Sequence, residues 1–126
     1  MANNKYRYYV VVDGKIVYDE FRNFEDAIPT FLHQFNYSKL SSYLAIIKAE
    51  SKNDIEKVNI INDKNSNFYI LAKFGSNNGS LDGPINDDDI CNKVNKTLKT
   101  YGSNHCKFFG VVKTTKNESL KLFNKF

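Results

Sequence analysis

Tryptophan is missing from this chain altogether, and cysteine, proline, histidine and arginine occur only twice each among its 126 residues. Each scarcity argues against a class of protein. Cys91 and Cys106 form no CxxC pair, which speaks against a dithiol redox centre and a zinc knuckle. They read instead as two small, unlinked, buried hydrophobes. Two prolines and six glycines are too few for a low-complexity chain. The longest apolar run, from Tyr8 to Val12, has strand length and falls far short of the roughly 20 residues that span a bilayer. Met1 to Arg7 hold no hydrophobic signal-peptide core. The expectation is a cytoplasmic or otherwise intracellular protein, neither secreted nor membrane-spanning, that folds without a cofactor.

What is present describes an ordinary globular domain. The sequence is 41% hydrophobic and 25% charged, with ten Phe and eight Tyr to fill a core. A chain of this length is expected to form one domain over residues 1–126 and to bury about two-thirds of its unfolded surface. The abundance of Asn, Lys, Ile, Phe and Tyr is what AT-rich codons produce. That bias points to a low-GC bacterium, a phage or a large virus, and to a viral or mobile-element protein.

Residues 5–12 and 15–21 read as strands around Asp13-Gly14, a hairpin signal because a type I′ turn needs positive φ at both central positions. Phe24, Ala27, Ile28, Phe31, Leu32 and Phe35 then recur at helical period behind Asn23, a candidate N-cap. Pro29 falls on the polar face of that helix, and its missing N–H predicts a kink. Residues 43–50, 55–61 and 68–74 read as three more strands joined by short polar segments. Residues 75–84 have the composition of a mobile loop. Asn86 reads as a cap and Asp87, Asp88 and Asp89 as first-turn carboxylates of a second helix. Ile90, Cys91, Val94, Leu98 and Tyr101 form its apolar stripe, and Gly102 stops it. A strand over 106–113 follows. Thr115 with Glu118 is a capping-box signature for a last helix over about 116–126.

The predicted order is ββαβββαβα. It implies a single α+β domain with an antiparallel or mixed sheet of five to six strands and two to three helices, the helices on one face. With the second or fifth strand peripheral, the remainder has the ferredoxin-like order β-α-β-β-α-β. No internal repeat is visible in the sequence.

Catalytic signatures are scarce. His33 lies on the polar helix face. His105 and Cys106 are neighbours, and on a strand neighbours point to opposite faces, so they do not form a nucleophile–base pair. The Asp87–Asp89 run lacks EF-hand spacing, and its carboxylates repel phosphate from the Gly-rich segment before it, which has neither GxGxxG nor GxxxxGK[ST]. No metal site is expected. The stretch from Lys107 to Val112, with Phe108 and Phe109, resembles in part the stacking strand of an RNA-recognition motif but lacks its later aromatics.

Charge is the least bland feature. Up to Asp89 the chain carries ten Lys/Arg against thirteen Asp/Glu, and from Ile90 onward eight Lys against one acid, Glu118. Such asymmetry is the usual trace of an acidic partner, most often nucleic acid. The expected reading is a small non-enzymatic binding protein whose basic C-terminal third meets nucleic acid or an acidic protein. Lys93, Lys96, Lys99, Lys107, Lys113, Lys116, Lys121 and Lys125 are the contact residues, expected to form one continuous surface. The alternatives are a protein–protein interaction or inhibitor module acting through the first hairpin and the 75–84 loop, and an enzyme of unrecognised type.

Overall fold

A computed structural model describes residues 6–13, 15–37, 43–55, 66–74, 78–103 and 105–125. The expected first hairpin forms, with Gly14 itself outside the described residues. β1 (Arg7–Val12) and β2 (Lys15–Phe21) pair antiparallel, with Val10 opposite Tyr18, Val11 opposite Ile16 and Val12 opposite Lys15. Asp13 supplies the positive φ, +50°. Its carboxylate Oδ1 accepts the Tyr43 N–H at 3.1 Å, and its own N–H donates to the Tyr43 carbonyl at 2.7 Å. The turn is thereby fastened to the start of β3 (Tyr43–Ala49).

Between them runs α1 (Phe24–Tyr37), which passes through Pro29 and leaves that residue exposed. β4 (Phe68–Lys73) and β5 (Gly79–Ile85) form a second hairpin, followed by α2 (Ile90–Tyr101), β6 (Phe108–Lys113) and α3 (Lys116–Lys125). The expected strand over 55–61 lies outside the described residues apart from Ile55, which follows a single 3-10 turn at Lys52–Asp54. Residues 79–84 correct the reading of a mobile loop: they belong to β5, hydrogen-bonded to β4. Glycine and proline in that segment mark an edge strand, where no second ladder needs a donor. The second helix begins at Ile90, later than expected. Asn86 instead caps the turn before it, its Oδ1 accepting the Asp89 N–H at 3.1 Å.

All neighbouring strands run antiparallel in the order β2-β1-β3-β6-β4-β5. The order hides a repeat that the sequence does not advertise. Each half is a ββαβ unit whose first strand lies between its second and its last. β3 and β6, the two last strands, pair at the centre with Ile46 opposite Phe109. A half-turn about an axis through this pair, normal to the sheet, carries one half onto the other. A ferredoxin-like sheet would fill the gap in each half with a strand from the other; here each half fills its own, so that order does not apply.

β1, β3, β4 and β6 are apolar on both faces because both faces are covered, as near-continuous hydrophobic runs require. On one face Tyr8, Val10, Leu44, Ile46, Ile70, Ala72, Phe109 and Val111 meet α1 and α2. Edge-to-face rings knit this layer, with Phe24 against Tyr8 at 5.8 Å and Phe31 against Phe109 at 5.6 Å. Such contacts add about 0.5–1.5 kcal/mol each beyond burial. On the other face Tyr9, Val11, Ala45, Ile47, Leu71, Phe108 and Val112 join Leu122 and Phe123 of α3. The expectation that the helices share one face is corrected here: α3 packs opposite the other two. No helix among the described residues is long and apolar enough to cross a membrane.

Candidate functional site

Lysine placement follows from this two-sided architecture. Ile90, Val94 and Leu98 pin α2 to one face of the sheet, and Leu122 pins α3 to the other. Lys93, Lys96 and Lys99 are therefore separated from Lys116, Lys121 and Lys125 by the sheet itself, and the expected continuous positive surface does not form. Lys121 is further engaged by Glu118 one helical turn away, at 3.4 Å. Lys113 binds Asp87 at 3.2 Å and lies over the Phe68 ring at 5.0 Å. Lys107 is half-buried at the opposite end of β6. Phe108 and Phe109 are both fully buried on opposite faces, so neither is offered to a base.

What the structure does assemble is a cleft between α2 and the sheet edge, about 220 Å³ in volume, lined by Ile70, Ala72, Ser80, Asp82, Lys93, Lys96, Thr97, Thr100 and Tyr101. Helical period explains its wall: positions 93, 96–97 and 100–101 recur every three to four residues and form one flank of α2. Strand parity explains its floor. Asp82 lies opposite Ile70 and Ser80 opposite Ala72 across the β4–β5 ladder, so all four project to the same face. α2 packs on β4, and the cleft lies between its flank and the Ser80 and Asp82 positions of β5. Lys99, three residues beyond Lys96, falls on the outward arc of the helix and is not part of the lining.

The polar groups are partly committed. Thr97 donates its hydroxyl proton to the Lys93 carbonyl at 2.7 Å, and Thr100 donates to the Lys96 carbonyl at 3.1 Å. Both hydroxyl oxygens therefore remain as acceptors. Tyr101 rests its ring against Phe74 at 5.1 Å. Among the described residues, Lys93, Lys96 and Asp82 take part in no ion pair.

The nucleophile candidates are placed elsewhere. Both cysteines are unlinked. Cys106 precedes β6 and is fully buried. Burial pushes its thiol up to about 11, and backbone hydrogen bonding at Phe108 and Lys73 offsets only part of that rise. His105 is exposed in the turn before it. Asp88 and Asp89 are exposed beside Asp87, and no cluster of three potential metal ligands occurs among the described residues.

Sequence reasoning found two of the cleft residues, Lys93 and Lys96, through charge. It missed Ser80 and Asp82 because their segment reads as loop, and Thr97, Thr100 and Tyr101 because helical stripes were sorted only into apolar and charged. The parity of 80 and 82 against 70 and 72 would have found them once a β5 strand was allowed. No protein-family profile, curated protein or solved structure matches the chain.

Proposed function

We propose that this is a non-enzymatic binding protein that engages single-stranded nucleic acid through the α2 face, with Lys93 and Lys96 as its principal phosphate contacts and Lys99 beside them. One observation carries the reading. Two ammonium groups one helical turn apart stand on the wall of an open cleft, with no carboxylate in ion-pair contact among the described residues. Unneutralised cations beside a groove are the electrostatic footprint of a polyanion ligand. Thiolate chemistry at Cys106 has no support, because that thiol is fully buried and held up at about 11. Lys116, Lys121 and Lys125, across the sheet, do not share this ligand.

The test is a salt titration of binding to a short single-stranded oligonucleotide. Affinity is expected to fall with salt, with a logarithmic slope of about −0.7 per phosphate contacted. Lys93→Glu with Lys96→Glu should weaken binding and flatten the slope while leaving the fold intact by circular dichroism. Lys116→Glu with Lys121→Glu should leave both unchanged. Salt-independent binding, no binding, or equal losses from the two double variants would overturn the reading.

A further inference from the structure

The cleft is more discriminating than a polyanion requires. Its floor is mixed: Ile70 and Ala72 are apolar and almost fully covered, each 1% exposed, while Ser80 and Asp82 beside them are polar. Lys93 and Lys96 supply positive charge on the wall, and Asp82 supplies a carboxylate from the opposite strand. A plain anion held by the lysines would be repelled by Asp82, and a hydrocarbon would strand three charges without partners. The complementary ligand brings a flat ring to lie beside Tyr101, a negative group and hydrogen-bond donors together. A nucleotide has all three. The volume, about 220 Å³, lies below the roughly 300–1,000 Å³ of sites that enclose whole drug-sized ligands. That suits one inserted base with its sugar and phosphate left at the rim.

We propose that the α2–β5 cleft receives one unstacked guanine, its Watson–Crick edge donating to the Asp82 carboxylate and its phosphate held by Lys93 and Lys96. Guanine carries two adjacent donors on that edge, N1–H and the 2-amino group, whereas adenine and cytosine each offer one amino group and uracil one ring N–H. An ionised carboxylate accepts two parallel donors, and single strands are read in this way once a base is splayed out. Tyr101, on the same wall, supplies an aromatic surface beside the base. This assignment rests on the nucleic-acid reading for its phosphate contacts, and on Asp82 alone for base choice.

The experiment compares a seven-residue oligouridine with the same strand bearing one central guanosine, alongside the four free nucleoside 5′-monophosphates. The intact protein is used in every arm. The guanosine strand is expected to bind at least about tenfold tighter, the scale of one good bidentate base contact. Among the free nucleotides, guanosine monophosphate should be the one that shifts the backbone amide resonances of Ile70, Ala72 and Asp82. Asp82→Asn should erase the base preference while keeping the salt slope. Because Asp82 is exposed, the variant should retain the wild-type melting curve. Equal affinity for the two strands, or a preference surviving Asp82→Asn, overturns the guanine assignment and leaves the proposed function standing. Shifts from free guanosine monophosphate without salt-dependent strand binding would keep the base site and remove the proposed function. Failure in both arms removes both.

Discussion

The two ββαβ halves share a topology and differ in what they do with it. α1 buries Phe24, Ala27, Phe31 and Phe35, and packs across β1, β2 and β3. α2 buries Ile90, Val94 and Leu98, at four-residue spacing and with no aromatic among them, and rests chiefly on β4. The first half spends its aromatic residues on closing the sheet face. The second leaves its outer strand partly uncovered, and the uncovered strip is lined with charge. Duplicated architecture thus yields one half specialised for packing and one with an open flank, and the difference is a few side-chain volumes on one helix.

Core truncation gives the largest expected contrast. Phe31 is fully buried, ring edge to face with Phe109, so Phe31→Ala should cost about 3–5 kcal/mol. Leu98→Ala removes a smaller side chain that is 5% exposed, and should cost about 2 kcal/mol, the low end for such changes. Urea unfolding of both variants measures the difference. Equal losses would mean that the two halves are energetically equivalent.

Alkaline pH sharpens the comparison next, because the second half carries the buried thiol. Cys106 ionises at about 11 in the folded protein, against an ordinary value near 9. The unfolded chain therefore loses this proton first as pH rises. Stability is fully present below about pH 9 and falls between 9 and 11, by about 2–3 kcal/mol at about 1.4 kcal/mol per unit. Burial raises Tyr8 and Tyr43 in the same direction, which continues the loss at higher pH. Cys106→Ala should show a smaller decline across that window than the parent protein. Superimposable declines would move the alkaline sensitivity to the tyrosines.

The return strands differ as well. β2 contains no glycine, whereas β5 depends on Gly83, whose φ of +150° is one that side chains rarely adopt. A Cβ there would stand 2.5 Å from the Tyr69 ring. Gly83→Ala is expected to destabilise by about 1–3 kcal/mol, while Lys15→Ala in β2 should stay within about 0.5 kcal/mol. A neutral Gly83→Ala would show that β5 adapts freely and that Asp82 next to it is not held in place.

This strand also marks the boundary of what the sequence discloses. The first hairpin, the first helix and the last helix were legible because Asp13-Gly14, the 24–35 periodicity and the Thr115 cap act through neighbours along the chain. β5 was not, because Gly79, Gly83 and Pro84 carry turn propensity locally and become a strand only through the ladder to β4. The same reason hid the side of the sheet on which α3 docks: its amphipathic pattern fixes which face is buried, not against what. The candidate site combines both failures. Its helical wall could be read from lysine spacing, but its floor and its carboxylate come from a tertiary pairing across the β4–β5 ladder.

The smallest expected effect concerns how the open half holds its helix. Lys113 Nζ lies 3.2 and 3.3 Å from the two Asp87 oxygens, joining the end of β6 to the turn that leads into α2. Its side chain is 21% exposed and that of Asp87 70% exposed, so solvent screens most of the attraction. A double-mutant cycle on Lys113→Ala and Asp87→Ala should give a coupling of about 0.5 kcal/mol, within the range for exposed pairs. The value should vanish at about 1 M salt, where screening acts over roughly 3 Å. A coupling well above 1 kcal/mol that survives salt would mean the entry of α2 is anchored firmly, and that cleft width is insensitive to ionic strength. The weak, salt-sensitive outcome has a consequence for the binding measurements. Part of any salt dependence would then reflect movement of α2, so the slope must be compared between the parent protein and Asp87→Ala before it is converted into a number of phosphate contacts.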